Sequence, residues 1–456
     1  MSLVSINPAT GQRLHIHGPH SSIQIAAALK LAHAAFLGWR ETAPAFRARH
    51  LRNLARVLRA QRDDLAALIT AEVGKPVTQA RAEIEKCAMV CDYYAKHGAA
   101  YLADEHPAGA PKRARIAYEP LGPVLAIMPW NFPFWQVFRA AAPALMAGNV
   151  VALKHASNVP GVALAIEALW RDAGAPPGAF TTLLAPSSLV DGLVDHEAVA
   201  AVTLTGGEAA GVAVGARAGA ALKKVVLELG GSDPFVVLAD ADLVTVARQA
   251  ALARVQNNGQ SCIAAKRFIV AAPVAAEFTE RLAAEMRALV VGDPLERATQ
   301  VGPLARPDLV EDLDSQVRRS VAAGARLVCG GVRPAGPGCF YPPTVLADVE
   351  PGMAAFDEET FGPLAPVTHA RDEAHAVALA NRSRFGLGAS VWTRDAARGE
   401  AIARRIEAGA VFVNGIVKSD PRLPFGGVKR SGHGRELAAA GIREFVNLQT
   451  VWVREV

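Results

Sequence analysis

The sequence predicts an α/β protein built on parallel sheets, and three observations carry that reading. Between residues 124 and 229, short apolar runs alternate with helix-like segments, the order that sets parallel strands under helices on both faces. After Gly230-Gly231 a second block repeats the alternation. Two segments far apart in the chain, 113–119 and 444–453, instead alternate apolar and polar residues, as edge strands do.

In chain order, residues 20–106 read as helical. Across 44–70, Phe46, Leu51, Leu54, Leu58, Leu65 and Leu68 recur near the helical period of about 3.6 residues, with arginines between them. Gly74-Lys75-Pro76 breaks the run, a second helix spans 78–97, and Pro107-Ala-Gly-Ala-Pro111 closes the region. Strands are expected at 124–128, 150–154, 198–203 and 225–229, with helices at 160–173 and 208–221. In the second block strands are expected at 235–238, 267–270 and 411–414. Helices there are expected at 243–255, 275–289, 311–323, 374–381 and 396–406.

The 456 residues suffice for two or three domains, and a composition of 51% hydrophobic and 20% charged residues is that of a folded chain. The net charge of +5 is spread along helices among Asp and Glu, without a basic run interleaved with aromatics, so no nucleic-acid partner is expected. No apolar run reaches the roughly 18 residues that cross a bilayer, and the first residues lack a secretory pattern. No membrane partner and a cytoplasmic location are therefore expected. Five cysteines make no disulfide framework. Cys87 and Cys91, one helical turn apart, read as helix packing, and no metal site is expected.

Five segments carry chemistry. Cys262 sits in Gln-Asn-Asn-Gly-Gln-Ser-Cys, a polar turn rather than an apolar core, and reads as a nucleophile. Glu228 ends an apolar strand before two glycines, where it is either an outward residue or a general base. Asn131 lies in a rigid turn between Pro129 and Pro133, either as a structural amide or as an oxyanion donor. Thr203-Leu-Thr-Gly-Gly-Glu-Ala-Ala-Gly211 runs from strand to helix through Gly206, Gly207 and Gly211, like a turn that cradles a pyrophosphate. Lys154 ends the preceding strand and could reach a ribose. Glu358-Glu-Thr-Phe-Gly-Pro363 sets a carboxylate and an aromatic before a turn.

Together these segments resemble the NAD(P)-dependent aldehyde dehydrogenase superfamily along nearly the whole chain. Pro129-Trp-Asn-Phe-Pro, Leu227-Glu-Leu-Gly-Gly, Gly259-Gln-Ser-Cys, Glu359-Thr-Phe-Gly-Pro and Pro424-Phe-Gly-Gly-Val-Lys-Arg-Ser-Gly occur in the family's order. The resemblance implies that Cys262 attacks an aldehyde, that Asn131 stabilises the oxyanion, and that Glu228 activates water to hydrolyse the thioester. It implies NAD or NADP as cofactor. Lys154 and Glu359 would hold the riboses, Phe361 would flank the nicotinamide, Trp130 would also contact the cofactor, and Gly206 to Gly211 would lie under the pyrophosphate. Two positions depart from the family: Gly207 stands where a serine is common, and Ser157 stands where NAD-strict members carry a glutamate. A carboxylate at 157 would repel a 2′-phosphate, so NADP should be tolerated. The implied domains are a Rossmann-like cofactor domain from 1–110 and 128–229, a catalytic domain from 230–430, and a small oligomerisation element from 111–127 and 431–456. A homodimer or homotetramer is expected.

Within the superfamily the chain is most similar to bacterial succinate-semialdehyde dehydrogenases. That resemblance implies a small anionic aldehyde as substrate, with Arg139, eight residues after Asn131, on its carboxylate. Ser419 and Arg422 in the loop before Pro424 would assist. Gln256 replaces an arginine found in some of these enzymes, which weakens the carboxylate clamp and widens the range toward other semialdehydes, aminoaldehydes or aromatic aldehydes. A cofactor-independent thiol hydrolase would use Cys262 and Glu228 alone, but would have no need of Lys154, Gly206 and Glu359.

Overall fold

The computed structural model describes residues 2–454. Two sheets dominate. The first has six strands in the order Gly432–His433, Lys224–Glu228, Ala201–Thr205, Pro123–Met128, Val150–His155 and Phe180–Thr182. All its pairings are parallel except that of Gly432–His433. The register sets Ile127 opposite Lys154 and Leu204, and Thr205 opposite Glu228. Asn131, Lys154, Gly206 and Glu228 therefore gather at one carboxyl edge, where α/β sheets bind ligands.

The second sheet has seven strands, in the order Arg326–Cys329, Thr344–Ala347, Leu364–Ala370, Ala265–Ala271, Asp233–Val237, Gly388–Trp392 and Ala410–Val413. Only Arg326–Cys329 runs antiparallel to its neighbour. Cys262 and Glu359 precede two of its strands and so lie at its amino edge. The short link Leu229–Ser232 joins the sheets. The carboxyl edge of the first sheet thus comes up against the amino edge of the second.

The largest core lies between the first sheet and the N-terminal helices Pro44–Ala60, Arg62–Val73 and Val77–Tyr101. Its aromatic centre is a stack in which Trp170 lies against Phe138 at 6.1 Å and Phe180 at 5.5 Å between ring centres. Gly74 ends the second of these helices in a left-handed conformation (φ 77°) and donates to the Thr70 carbonyl, which is why the chain breaks there.

The structure differs from the sequence expectation in several places. Leu364–Ala370 and Gly388–Trp392 are parallel strands with no alternation to signal them: both are buried almost throughout. The run 44–70 is two helices, divided at Gln61. The segments 111–127 and 431–456, expected to form one small element, do not lie together. Pro123–Met128 is buried at every residue inside the first sheet, and Gly432–His433 pairs with Lys224–Glu228. What remains outside is a two-stranded ribbon, Ala114–Pro120 with Val446–Trp452, in antiparallel register from Ala114 opposite Trp452 to Pro120 opposite Val446. Among the described residues no helix is long and apolar enough to cross a membrane.

Candidate active site

The turn that leads to Cys262 begins where the helix Leu243–Val255 ends. Asn257, Asn258 and Gly259 follow with φ of 53°, 59° and 80°, three left-handed residues in a row. Asparagine tolerates this region better than most residues and glycine without penalty. Each asparagine is also tied down. Asn257 Nδ2 donates to the carbonyls of Asn131 (2.6 Å) and Gln260 (3.0 Å). Asn258 Nδ2 donates to those of Gly74 (2.9 Å) and Pro303 (2.8 Å). Gly259 admits no side chain, because a Cβ there would run into the Gly362 carbonyl. The turn delivers Cys262 half-buried, and the fully buried Lys266 donates to the carbonyls of Ser261 (2.8 Å) and Cys262 (2.7 Å). Burial pushes the Cys262 thiol up to about 11, while Arg139 and Lys266 pull it back.

Asn131 donates from Nδ2 to the Gln260 carbonyl at 3.1 Å, which leaves its second amide hydrogen for a ligand. Two groups that the sequence did not single out hold its turn. Glu83 Oε1 accepts from the backbone N–H groups of Phe134 and Trp135, both at 2.9 Å, and its other oxygen pairs with the fully buried Lys75. His155 Nδ1 lies 2.8 Å from the Ala156 N–H and 3.2 Å from the Met128 carbonyl, and Nε2 lies 2.9 Å from the Pro133 carbonyl. Burial lowers the His155 pKa to about 4 and keeps the ring neutral. A glutamate and a histidine on helix and strand carry no sequence signal that separates them from solvated residues.

One cavity of about 200 Å³ brings the expected residues together. Trp130, Asn131, Gly206, Gly207, Cys262, Glu359 and Phe361 all line it. Gly207 is the N-cap of the helix Glu208–Ala220, and no side chain caps that end, so its first N–H groups face outward without a side-chain partner. Gly211 lets this helix lie close on the sheet, since a Cβ there would press into Leu229. Lys154 is buried with no carboxylate beside it among the described residues, and burial lowers its pKa. Glu359 Oε1 accepts from Gly231 N–H at 3.1 Å and pairs with Lys266 at 3.4 Å. Trp130 and Phe361 meet edge to face at 5.8 Å. Ser157 lies exposed in the turn after Lys154. An unpaired buried ammonium, an uncapped helix start and two aromatic walls fit a dinucleotide.

Comparison with known proteins agrees. The model of the aldehyde dehydrogenase family matches residues 2–451. The chain belongs to the aldehyde dehydrogenase family. It is 52% identical over 453 residues to a probable NADP+ succinate-semialdehyde dehydrogenase of Synechocystis sp., covering 99% of this chain and 100% of that one. It is 51% identical over 449 residues to a NAD(P)+ succinate semialdehyde dehydrogenase of Escherichia coli, covering 98% and 97%. Among solved structures it resembles a succinic semialdehyde dehydrogenase from Streptococcus pyogenes in complex with NADP+, with a TM-score of 0.97, 34% identity and 99% and 100% coverage.

In this aldehyde dehydrogenase the Glu228 carboxyl does not line the thiol's cavity. It is buried against Gly426, where a Cβ would come within 2.7 Å of Oε1, and neither oxygen has a hydrogen-bond partner among the described residues. Burial pushes its pKa well up; Arg139 opposes that and Glu436 adds to it.

Arg139 is also elsewhere than expected. Its guanidinium is fully buried, pairs with Glu436, donates to Thr205 Oγ1 at 3.3 Å and lies 4.6 Å over the Phe425 ring. A buried cation requires such a partner, and the pairing takes Arg139 out of the substrate cavity. Arg422 is held by Asp420 at 2.6 Å, with its side chain 75% exposed.

A second cavity of about 480 Å³ is lined by Phe132, Trp135, Gln256 and Lys86 among others. It backs on to the first across one segment: Asn131 and Gln136 face the thiol's cavity, Phe132 and Trp135 face this one. Of the four expected substrate residues, Gln256 lines it. Ser419 is buried and accepts from Lys86 Nζ at 2.7 Å.

Proposed function

We propose that this aldehyde dehydrogenase oxidises succinate semialdehyde to succinate and accepts NADP+ as well as NAD+. The observation that carries the substrate is the identity of 51 to 52% along nearly the whole chain to proteins named for that aldehyde. Cationic Lys86, Arg297 and Lys418 around the second cavity support an anionic tail. The exposed Ser157 puts no carboxylate against a 2′-phosphate, which supports NADP+.

The chain's own residues perform the chemistry in two halves. The Cys262 thiolate attacks the aldehyde carbon to form a thiohemiacetal. The free Asn131 amide hydrogen and the Cys262 N–H stabilise its oxyanion. A nicotinamide cofactor bound here would supply the acceptor for the hydride that the substrate carbon loses. Lys154 and Glu359 would hold its riboses, Trp130 and Phe361 would flank the ring, and the helix start at Gly206, Gly207 and Gly211 would take the pyrophosphate. A thioester then remains on Cys262. Glu228 rotates from its place beside Gly426 into the cavity, where solvation restores its basicity, and takes a proton from the attacking water. Collapse of that adduct releases succinate and returns the thiol.

The ribbon supports a homodimer or homotetramer, since it leaves Leu448 and Trp452 exposed at an open edge. Five free cysteines are in keeping with a cytoplasmic enzyme. The test is the ultraviolet absorbance of reduced nicotinamide, followed with succinate semialdehyde and each cofactor. Wild type should produce it with both cofactors and Cys262→Ala with neither. A higher kcat/KM for an uncharged four-carbon aldehyde than for succinate semialdehyde would overturn the substrate.

A further inference from the structure

Behind the wall of the thiol's cavity, Lys266 joins two residues that line it. Cys262 and Glu359 both face that cavity, from segments far apart in the chain. Lys266, near the start of the strand Ala265–Ala271, is fully buried between them. It has three acceptors: the carbonyls of Ser261 at 2.8 Å and Cys262 at 2.7 Å, and Glu359 Oε1 at 3.4 Å. Only the charged ammonium has three hydrogens to match them. Glu359 Oε1 also accepts from Gly231 N–H at 3.1 Å, so that oxygen is held from two sides. Its Oε2 has no hydrogen-bond partner among the described residues. The chain passes between these groups only as glycine. A Cβ on Gly230 would run into Glu359 Oε2, and one on Gly231 would stand 2.6 Å from the Cys262 carbonyl oxygen.

We propose that Lys266 is a positioning residue that aims the Cys262 backbone N–H at the oxyanion while it holds the Glu359 carboxylate for the cofactor ribose. The Ser261 carbonyl and the Cys262 N–H belong to one planar trans peptide, so an ammonium on the carbonyl sets the N–H pointing away from Lys266. The same bond polarises that peptide and strengthens its N–H as a donor. Anchoring Glu359 Oε1 leaves Oε2 for a ribose hydroxyl. The charge also acts on the thiol. Burial raises the Cys262 pKa most; Arg139 and Lys266 lower it, and Glu359 and Asp233 raise it. Around Lys266 itself, burial lowers the pKa, Glu359, Asp233 and Cys262 raise it, and Arg254 lowers it. Lys266 and Glu359 therefore push the thiol in opposite directions.

This inference rests on the roles proposed for Cys262 and Glu359, and the two can fail separately. Two readouts on the full chain test it: alkylation of Cys262 by iodoacetamide at a fixed, mildly alkaline pH without cofactor, and the Kd for NADPH from its fluorescence. In Lys266→Met, loss of the cation should slow alkylation about threefold or more, because the thiolate fraction falls faster than intrinsic nucleophilicity rises. The Kd for NADPH should rise about fivefold as Glu359 loses its anchor. In Glu359→Gln, loss of the anion should speed alkylation while the Kd rises as well. Loosened packing alone would move alkylation the same way in both variants. Alkylation as fast as wild type in Lys266→Met, or a Kd left at the wild-type value, overturns the role of Lys266. A Kd unchanged in Glu359→Gln overturns the role proposed for Glu359 instead, and turnover that survives in Cys262→Ala overturns that of Cys262. If Lys266→Met does not fold, Lys266→Gln decides, since its amide still donates to the two carbonyls without the charge: alkylation no slower than wild type there also overturns the role of Lys266.

Discussion

Asn257 Nδ2 donates to the main-chain carbonyl of Asn131 at 2.6 Å, which couples the turn that leads to Cys262 directly to the turn that bears Asn131. The same amide holds the Gln260 carbonyl, to which Asn131 itself donates. Three groups thus share one small hydrogen-bond network two residues from Cys262. Asn257→Gly keeps the left-handed backbone available but removes both donors. Rapid kinetics should show the acylation step slowed by about ten- to a hundredfold, since misplacing reacting groups by about 1 Å carries that cost. Cofactor KM should change little, because no cofactor-side residue bonds to Asn257. A wild-type acylation rate would mean that the two turns are positioned independently.

The Cys262 thiol, held near 11 by burial, is protonated at neutral pH in the free enzyme. Alkylation of Cys262 by iodoacetamide, read by mass spectrometry of its peptide, should therefore rise about tenfold per pH unit from neutrality and show no plateau below about pH 10. The sign also holds for stability. A thiol whose folded pKa lies above its unfolded value of 9.0 contributes stability that is present below pH 9 and lost as pH climbs through about 11. A plateau between pH 7 and 8 would mean that Arg139 and Lys266 outweigh burial.

Lys75 and Glu83 are both buried, and Glu83 also takes two backbone N–H groups at the start of the helix Trp135–Ala147. Glu83→Gln preserves an acceptor for those N–H groups but strands the Lys75 ammonium. Denaturant unfolding should show a loss of about 3 kcal/mol or more, the usual cost of an unpaired buried charge. Adding Lys75→Met should recover part of it, because the pair itself is worth less than either broken half. Equal losses in the single and double variants would show that the pair's charge is irrelevant.

What could be read from the sequence divides along physical lines. Strands signalled by a helix on each side were found within a few residues; Leu364–Ala370 and Gly388–Trp392 were missed because buried parallel strands have no period to detect. The thiol's cavity was legible because its residues lie in turns whose glycines and prolines fix the backbone locally. The substrate side was not. Arg139 is a plausible carboxylate ligand by spacing alone, and only the chain's return at Glu436, 297 residues later, commits it elsewhere.

The proposed acceptance of NADP+ rests on Ser157, exposed in the turn between Lys154 and the helix Pro160–Asp172. With a neutral hydroxyl at this position and the buried Lys154 three residues earlier, nothing there repels a 2′-phosphate. Ser157→Glu would introduce a carboxylate whose second role is to accept from the 2′-hydroxyl of NAD+. KM for NADP+ should rise by about tenfold or more while KM for NAD+ stays level or falls, since a like charge at close range costs upward of 1 kcal/mol even where water screens it. Because residue 157 is on the surface, the unfolding midpoint should stay where it is. Equal rises in both KM values would mean that position 157 shapes the turn, and that discrimination between the cofactors resides elsewhere.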